Sequence, residues 1–337
     1  MGKGGVALPD VVVTVELPSR LTNWAPGPYY LPMNDSTLPP ILLTGATGAI
    51  GGLLLDRLLE EGFPVRSMVR SPGSANLPDG TEVVRGDVLS GDGLAEATAG
   101  MEVAYYLIHS MGRSPGDFEA NDRLGAANFA NAARDAGIRR IVYLGGLKAE
   151  GKGSAHLRSR EEVAEILSTG APEFVHARAA MVVGADSASF TMLRQLVHRL
   201  PVMIGPKWIE TLSQPVAVTD VVDALATLAT FPDPPEDVEL GGADILSYRD
   251  MMNLFADVDG RRRPLIIPAP VISPRLSSYW VRFVTSVDPA LARPLIDGLK
   301  EELIVRNAPP AGINDDPESF GDAVAEALAE TRAKETA

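Results

Sequence analysis

The sequence feature that most constrains this chain is a glycine-rich turn between an apolar run and an amphipathic stretch. The apolar run 41–43 is followed by Gly45, Gly48 and Gly51, spaced G-x-x-G-x-x-G, and then by the amphipathic residues 53–61. This order predicts a β-strand, a tight turn and the start of a helix. Gly45 permits the turn, Gly48 lets the backbone approach a pyrophosphate, and Gly51 lets the helix pack close to the strand. The sequence therefore predicts a dinucleotide-binding βα unit, with the pyrophosphate on the N–H groups of the helix start.

Composition limits the partners of this protein. The chain has 337 residues, 45% of them hydrophobic, and a net charge of −14. So acidic a chain is not expected to bind nucleic acid, and its apolar stretches are broken by Pro or Arg, so no membrane span is expected. It has no cysteine and four histidines without ligand spacing, and we expect no metal site. We expect a cytoplasmic monomer or homodimer, without a signal peptide, that acts on a small molecule.

Short apolar runs alternate with amphipathic stretches of helical length from residue 40 onward. Strands are expected at 41–44, 64–69, 82–85, 102–108, 139–144, 173–178 and 237–240. Helices are expected at 50–61, 92–98, 117–136, 158–169, 187–199, 219–230 and 247–256. Strands that alternate with helices in this way predict an α/β fold with a doubly wound parallel sheet, the Rossmann fold.

We expect three regions along the chain. Residues 1–38 form an N-terminal extension, 39–260 the NAD(P)-binding Rossmann domain, and 261–337 a small helical region that covers the substrate and ends in a tail. The extension either precedes a true start at Met33 or is an arm that covers a neighbouring subunit. The apolar stretch 276–303 favours a substrate cover over a membrane-surface contact, because its charges are mixed and the protein is acidic.

Several motifs resemble the short-chain dehydrogenase/reductase superfamily in its extended and atypical branches. They are Thr-Gly-Ala-Thr-Gly-Ala-Ile-Gly at 44–51, Gly-Asp-Val at 86–88, Tyr-Tyr-Leu-Ile-His-Ser-Met at 105–111, Arg-Ile-Val-Tyr-Leu-Gly-Gly at 140–146 and Val-Ala-Val-Thr-Asp-Val at 216–221. The third is similar to a run in bacterial proteins close to the NmrA-like group, and the last to an element of sugar-nucleotide epimerases. The resemblance covers residues 40–308 and implies a Rossmann fold that binds NAD or NADP.

The chain departs from the catalytic residues of that superfamily. Its reductases use a Ser after the fifth strand and a Tyr-x-x-x-Lys motif on the next helix. Here the Ser position falls on Gly145 or Gly146, and the ends of the second motif fall on His156 and Arg160. His156 is a candidate acid/base near neutral pH, and Arg160 can hold the ribose but cannot act as a base. The alternative is that both are surface residues at a helix start.

The end of the second strand indicates which dinucleotide is bound. An NAD enzyme carries an acidic residue there for the ribose 2′-hydroxyl, whereas this chain offers Arg66, Arg70 and Ser71. Guanidinium groups suit a 2′-phosphate, and Arg70 follows the strand where the ribose should lie, unless it is a solvent-exposed structural Arg. We therefore expect NADP rather than NAD. The contacts expected from the glycine turn are Gly45, Ala46, Thr47, Gly48, Ala49 and Ile50.

Two further segments complete the expected site. Asp87 would accept the adenine amino group, with Val88 packing on the ring, or else Asp87 is a turn-forming residue. Leu107, His109 and Ser110 follow the fourth strand, at the sheet edge where ligands bind in open α/β sheets. There His109 either contacts the nicotinamide ribose or the substrate, as the second candidate for the proton donor, or forms a structural hydrogen bond.

Three functions follow from these residues. The first is an NADP-dependent oxidoreductase that transfers hydride to a small carbonyl, enone or quinone-like molecule. The second is a non-catalytic NADP-binding sensor of the NmrA type, which the altered Ser/Tyr/Lys set supports. The third is a sugar-nucleotide epimerase or dehydratase, which would normally keep the Tyr and Lys. Trp208, Tyr279 and Trp280 either form an apolar substrate wall or belong to the core.

Overall fold

The computed structural model describes residues 38–108, 118–148, 154–205, 207–268 and 299–336. The strands are β1 (Ile41–Thr44), β2 (Val65–Val69), β3 (Glu82–Arg85), β4 (Val103–Tyr106), β5 (Arg140–Gly146), β6 (Glu173–Ala179), β7 (Val182–Val183), β8 (Val202–Gly205), β9 (Leu212–Ser213), β10 (Val216–Ala217), β11 (Asp237–Leu240), β12 (Leu246–Ser247) and β13 (Leu265–Pro268). The helices are α1 (Ala49–Glu60), α2 (Leu94–Thr98), α3 (Phe118–Ala136), α4 (Ala155–Leu167), α5 (Ala188–Arg199), α6 (Val218–Leu228), α7 (Tyr248–Val258) and α8 (Phe320–Thr336).

Seven strands form one sheet in the order β3-β2-β1-β4-β5-β6-β11. All six neighbouring pairs are parallel. The predicted doubly wound Rossmann fold is therefore confirmed. The chain winds outward in both directions from the boundary between β1 and β4, and in such sheets ligands bind beyond the carboxyl ends of the strands at this switch point.

Helices cover both faces of the sheet. On one face, α1 and α6 pack on β1 through residues such as Leu54 and Leu225. On the other face, α3 and α4 contribute Phe129 and Val163 to a separate core. Tyr105 of β4 is fully buried on the first face, and its hydroxyl donates to the carbonyl of Leu225 at 2.7 Å. The helices therefore fix the carboxyl edge of the sheet as a rigid frame for the site.

A third apolar cluster is built by α5, α7 and α8. In α8, Phe320, Val324 and Leu328 are buried at a spacing of four residues. The C-terminal residues, for which the sequence predicts a tail, therefore form a helix that reaches Thr336 and packs on this cluster. Among the described residues, none of the helices is long and apolar enough to cross a membrane.

Candidate functional site

The predicted glycine turn follows β1 and contacts the carboxyl end of the neighbouring strand β4. The Thr44 hydroxyl donates to the carbonyl of Tyr105 at 2.9 Å and accepts the N–H of Leu107 at 3.3 Å. Gly45 has a positive φ of 77°, and a Cβ there would lie 2.8 Å from the Leu107 carbonyl oxygen. Only glycine fits this position, because both the backbone conformation and the close approach of β4 exclude a side chain.

The start of α1 forms the cradle that a dinucleotide needs. Gly48 is the exposed N-cap residue, and no side chain in the described part of the chain caps this helix start. A Cβ at Gly51 would lie 2.1 Å from the Gly45 carbonyl oxygen, so the helix packs directly on the turn. The first turn of α1 contains no acidic residue. These features fit a pyrophosphate, because the N–H groups and the positive end of the helix dipole face the turn.

A cavity of about 500 Å³ extends from this turn along the carboxyl ends of the strands. It is lined by Gly45, Gly48 and Ile50 of the turn, and by Leu107 beyond β4. The ends of β5 and β6 form its floor, and α4, α5 and α7 contribute its walls. Its size is typical of small-molecule sites. The cavity therefore connects the predicted pyrophosphate cradle to further space between α4, α5 and α7.

His156 and Arg160 both line this cavity. They lie on α4, which begins three residues earlier than predicted because Ser154 caps it, accepting the N–H of Leu157 at 3.3 Å. Arg160 donates to the carbonyl of Leu144, and its guanidinium lies 5.1 Å from the ring centroid of Tyr143. Both side chains are half-buried, so the interpretation as plain surface residues is not favoured.

An ion-pair network around the buried Arg178 holds α4 against the sheet. Arg178 of β6 pairs with Glu161 of α4 and with Asp237 of β11. Burial acts to lower the pKa of Arg178, but its two carboxylate partners hold that pKa above the ordinary value. Arg178 also donates to the carbonyl of Gly146 at 3.3 Å. The network fixes the distance between α4 and the end of β5, where His156 meets the cavity.

The absence of the superfamily Ser has a structural cause at one of its two candidate positions. A Cβ at Gly145 would lie 2.0 Å from Nε2 of His176, a fully buried residue on β6. A Cβ at Gly146 would meet only the end of the Leu157 side chain, at 3.0 Å. The imidazole of His176 therefore occupies the space that a serine at Gly145 would need. Its Nε2 has no hydrogen-bond partner among the described residues.

We expect His176 to make the protein acid-sensitive. Burial, followed by the charge of Arg178, lowers the pKa of His176 to about 2. An unfolded His takes up a proton below about 6.5 and the folded one does not, so stability present above that pH is lost as the pH falls. Between pH 6.5 and 4.5 the loss is about 2–3 kcal/mol, at about 1.4 kcal/mol per pH unit. Urea unfolding of the parent and of His176→Gln at both pH values measures it.

The difference between parent and variant isolates His176, because the other charged groups that act on it, which are Arg178, Asp237, Arg160 and Lys148, are unchanged in both. His176→Gln should lose about 2–3 kcal/mol less stability than the parent between these pH values. An equal loss in the two proteins would mean that His176 is protonated in the folded state or that the site rearranges.

The structure separates the two arginines near the end of β2. Arg66 pairs with Glu82 at 2.8 Å and donates to three backbone carbonyls, of which that of Ala99 is nearest at 2.7 Å. Arg70 follows β2 and is exposed, and it has no hydrogen bond or ion pair with any residue that the structure describes. The guanidinium of Arg66 therefore stabilises the fold through its bonds to other residues, whereas that of Arg70 can bind a ligand at the end of β2. Ser71, beside it, is also exposed.

Of the remaining predicted cofactor residues that the structure describes, Ala49 lines the cavity, and Ala46, Thr47, Asp87 and Val88 do not. One oxygen of Asp87 accepts the N–H of Leu89 at 2.8 Å, which is the turn role considered for it. Val88 is buried, and its carbonyl accepts the Asn128 amide at 2.8 Å. Ala46 is buried, Thr47 is exposed, and Ala49 lines the cavity. His109, Ser110, Met33, Tyr279 and Trp280 lie outside the described residues.

Sequence reasoning missed most of the far wall of the cavity. Met192 and Leu193 of α5, together with Tyr248 and Met252 of α7, line it with Trp208. Apolar residues on a helix look the same in sequence whether they face a core or a ligand. Only Trp208 was a candidate, because isolated aromatic residues stood out in this stretch.

Comparisons with known proteins place the chain among NAD(P)H-binding proteins. Residues 45–196 match a family model of NAD(P)H-binding proteins. Ceramide reductase of Caulobacter vibrioides is 30% identical over 247 residues, which are 69% of this chain and 74% of that protein. The 3-beta-hydroxysteroid dehydrogenase of Mycolicibacterium neoaurum is 32% identical over 124 residues. That match covers 33% of this chain and 34% of the length of that relative.

A solved structure with the same architecture comes from Citrobacter sp. It is a triphenylmethane reductase complexed with NADP(H), with a TM-score of 0.69 and 21% sequence identity. The similarity covers 86% of this chain and 100% of that one. At this identity the comparison shows the shared fold, and what that protein binds is a property of that protein.

Proposed function

Because this chain belongs to the NAD(P)H-binding proteins of the short-chain dehydrogenase/reductase type, we propose that it is an NADP-dependent reductase. Its substrate would be a small carbonyl, enone or quinone-like molecule. The observation that carries the proposal is that Gly45 and Gly48, His156 and Arg160, and an apolar wall all line the same cavity. Such a cavity holds a cofactor and a substrate in contact.

The residues have separate roles in this proposal. The glycine turn and the start of α1 hold the pyrophosphate. Arg160 uses one N–H group for its bond to the carbonyl of Leu144, and its remaining N–H groups donate to the ribose. The adenine lies between Asp87 and Val88 in this proposal. The nicotinamide ribose is contacted by Leu107, His109 and Ser110. When bound, NADPH supplies the hydride. His156 donates the proton to the substrate oxygen, which requires that its imidazole be protonated beforehand.

Turnover is the direct test of this function. The purified protein is incubated with NADPH and a panel of aldehydes, ketones, enones and quinones, and the loss of NADPH absorbance is followed. Oxidation of NADPH that depends on one class of substrate supports the proposal. Binding of NADPH without turnover of any compound favours the sensor of the NmrA type, because Gly145 or Gly146, His156 and Arg160 replace the catalytic set of the superfamily.

We propose NADP(H) rather than NAD(H) as the cofactor, because Arg70 is exposed at the end of β2 with no partner among the described residues. Replacing Arg70 by Ala should cost about 1.5–3 kcal/mol of NADPH affinity, the range for a charged hydrogen bond, and leave NADH affinity nearly unchanged. Titration calorimetry with both cofactors measures the two affinities.

Arg66→Ala is the matched control, since Arg66 is committed to Glu82 and backbone carbonyls. It should lower stability without changing the ratio of NADPH to NADH affinity. Equal affinity of the parent protein for the two cofactors would contradict the preference for NADP.

A further inference from the structure

One part of the cavity lining, called here the apolar end, consists of apolar side chains from α5, α7 and the segments beside them. This apolar end is formed by Met192, Leu193 and Leu196 of α5, by Trp208 of the 3₁₀ turn Lys207–Glu210, by Met252 of α7 and by Leu299. Methionine side chains adapt their shape to irregular ligands because they are unbranched and flexible. Such a wall excludes water and gains free energy by burying apolar ligand surface.

None of the charged side chains among the described lining residues belongs to the apolar end. Among the described lining residues, those that carry or readily take up charge at neutral pH are His156, Arg160 and Asp186. Arg160 donates to the carbonyl of Leu144 and lies over Tyr143, while Asp186 pairs with Lys334 at 2.7 Å. A nucleoside diphosphate or a free carboxylate is stabilised by cations or by free backbone N–H groups like those of the glycine turn, and the side chains of the apolar end carry no positive charge.

One polar group at the apolar end has no partner. The indole Nε1 of Trp208 is buried and has no hydrogen-bond acceptor among the described residues. The ring lies edge-on to Tyr248, with centroids 6.0 Å apart and an interplanar angle of 83°. An indole N–H can only donate, and a buried donor without an acceptor is unfavourable. A ligand oxygen that accepts this N–H would remove that cost.

We propose, building on the reductase function above, that the substrate is an uncharged, bulky apolar carbonyl compound with a hydrogen-bond acceptor at the end remote from the reacting carbon. The reacting carbonyl lies beside His156, the apolar body contacts the methionine and leucine wall, and the remote oxygen accepts the N–H of Trp208. This assignment narrows the substrate class to rigid or long apolar ketones and quinones, and it excludes sugar nucleotides.

Binding in the presence of NADP⁺ tests the assignment without catalysis. The probes are androst-4-ene-3,17-dione and androst-4-en-3-one, two flat apolar ketones that differ by the oxygen at one end, with UDP-glucose as the charged comparison. Titration calorimetry on the full chain saturated with NADP⁺ should show the dione binding about tenfold tighter than the monoketone, as expected for one buried hydrogen bond. UDP-glucose should bind weakest.

Trp208→Phe keeps an aromatic ring and removes the donor. The tenfold preference for the dione should fall to about onefold, while monoketone binding and NADP⁺ affinity stay within about threefold of the parent. Tyr248→Phe is the matched control in the same wall, and it should keep the preference. An unchanged preference in Trp208→Phe, or its loss in Tyr248→Phe alone, would overturn the role of Trp208.

Failure of this inference is distinguishable from failure of the reductase function. Turnover of other carbonyl compounds with no binding of either steroid, or tighter binding of UDP-glucose, would overturn the apolar substrate class and leave the reductase function standing. Binding of the steroids with no turnover of any carbonyl compound would leave the ligand class standing and remove the reductase function.

Discussion

Replacing Gly48 by Val is expected to abolish NADP(H) binding while the protein stays folded. Gly48 caps α1 with φ −86° and ψ 166°, a conformation that any residue adopts. A Cβ there would lie 3.2 Å from the Gly45 carbonyl oxygen, which requires a shift of only a few tenths of an ångström. The branched side chain would instead fill the space over the helix start that the pyrophosphate needs. We expect at least a ~100-fold loss of affinity, about 2.8 kcal/mol, measured by cofactor fluorescence.

Two neighbouring glycines serve as controls for this variant. Gly52→Ala places a Cβ 3.6 Å from its nearest neighbour, an ordinary contact, and should retain cofactor binding with equal or higher stability. Gly51→Ala places a Cβ 2.1 Å from the Gly45 carbonyl oxygen and should lower the melting temperature measured by circular dichroism. Retained binding in a well-folded Gly48→Val protein would mean that the phosphates lie elsewhere.

The central strands β1, β4 and β5 could be predicted from sequence because they are largely apolar runs buried on both faces, whereas the edge strand β3 is mostly exposed. β1, β3 and β11 have the predicted bounds, and β6 ends one residue later than predicted. β5 begins one residue later and ends two residues later than predicted, and β4 is shorter than the predicted 102–108. The two-residue strands β7, β9, β10 and β12 were not predicted. A strand of that length shows no period-two pattern, and it exists only because a distant segment pairs with it.

The candidate site was predictable where local sequence determines local geometry. The glycine turn, His156 and Arg160 are of this kind, because a turn motif and a helix start can be located along the chain. The apolar end was not predictable, since Met192 and Met252 lie on two helices that meet only through tertiary packing. The role of Gly145 was equally hidden, because the imidazole that fills its space comes from His176 on the next strand.

If the protein is a reductase, His156→Gln should lower the rate of reduction by roughly 10²- to 10⁴-fold, the usual contribution of a general acid. A neutral imidazole protonates an oxyanion poorly, so a histidine donor must begin as imidazolium. The rate of the parent protein should therefore fall as the pH rises through roughly 6–7.5, where histidine side chains ordinarily titrate. The measurement is a pH–rate profile with NADPH and an accepted substrate, for the parent and for His156→Gln.

Two further histidine variants make the profile decisive. His198→Gln is the control, because His198 pairs with Asp259 at 2.7 Å and does not line the cavity. It should keep the rate and the profile of the parent. His109→Gln tests the second candidate for the proton donor. Loss of activity in this variant alone would assign the proton-donor role to His109. A tyrosine donor would instead sustain the rate to a higher pH, and a proton taken from water would give no break in this range. If His156→Gln and His109→Gln both keep the parent profile, neither histidine is the donor, and the position of His156 in the cavity reflects binding rather than proton transfer.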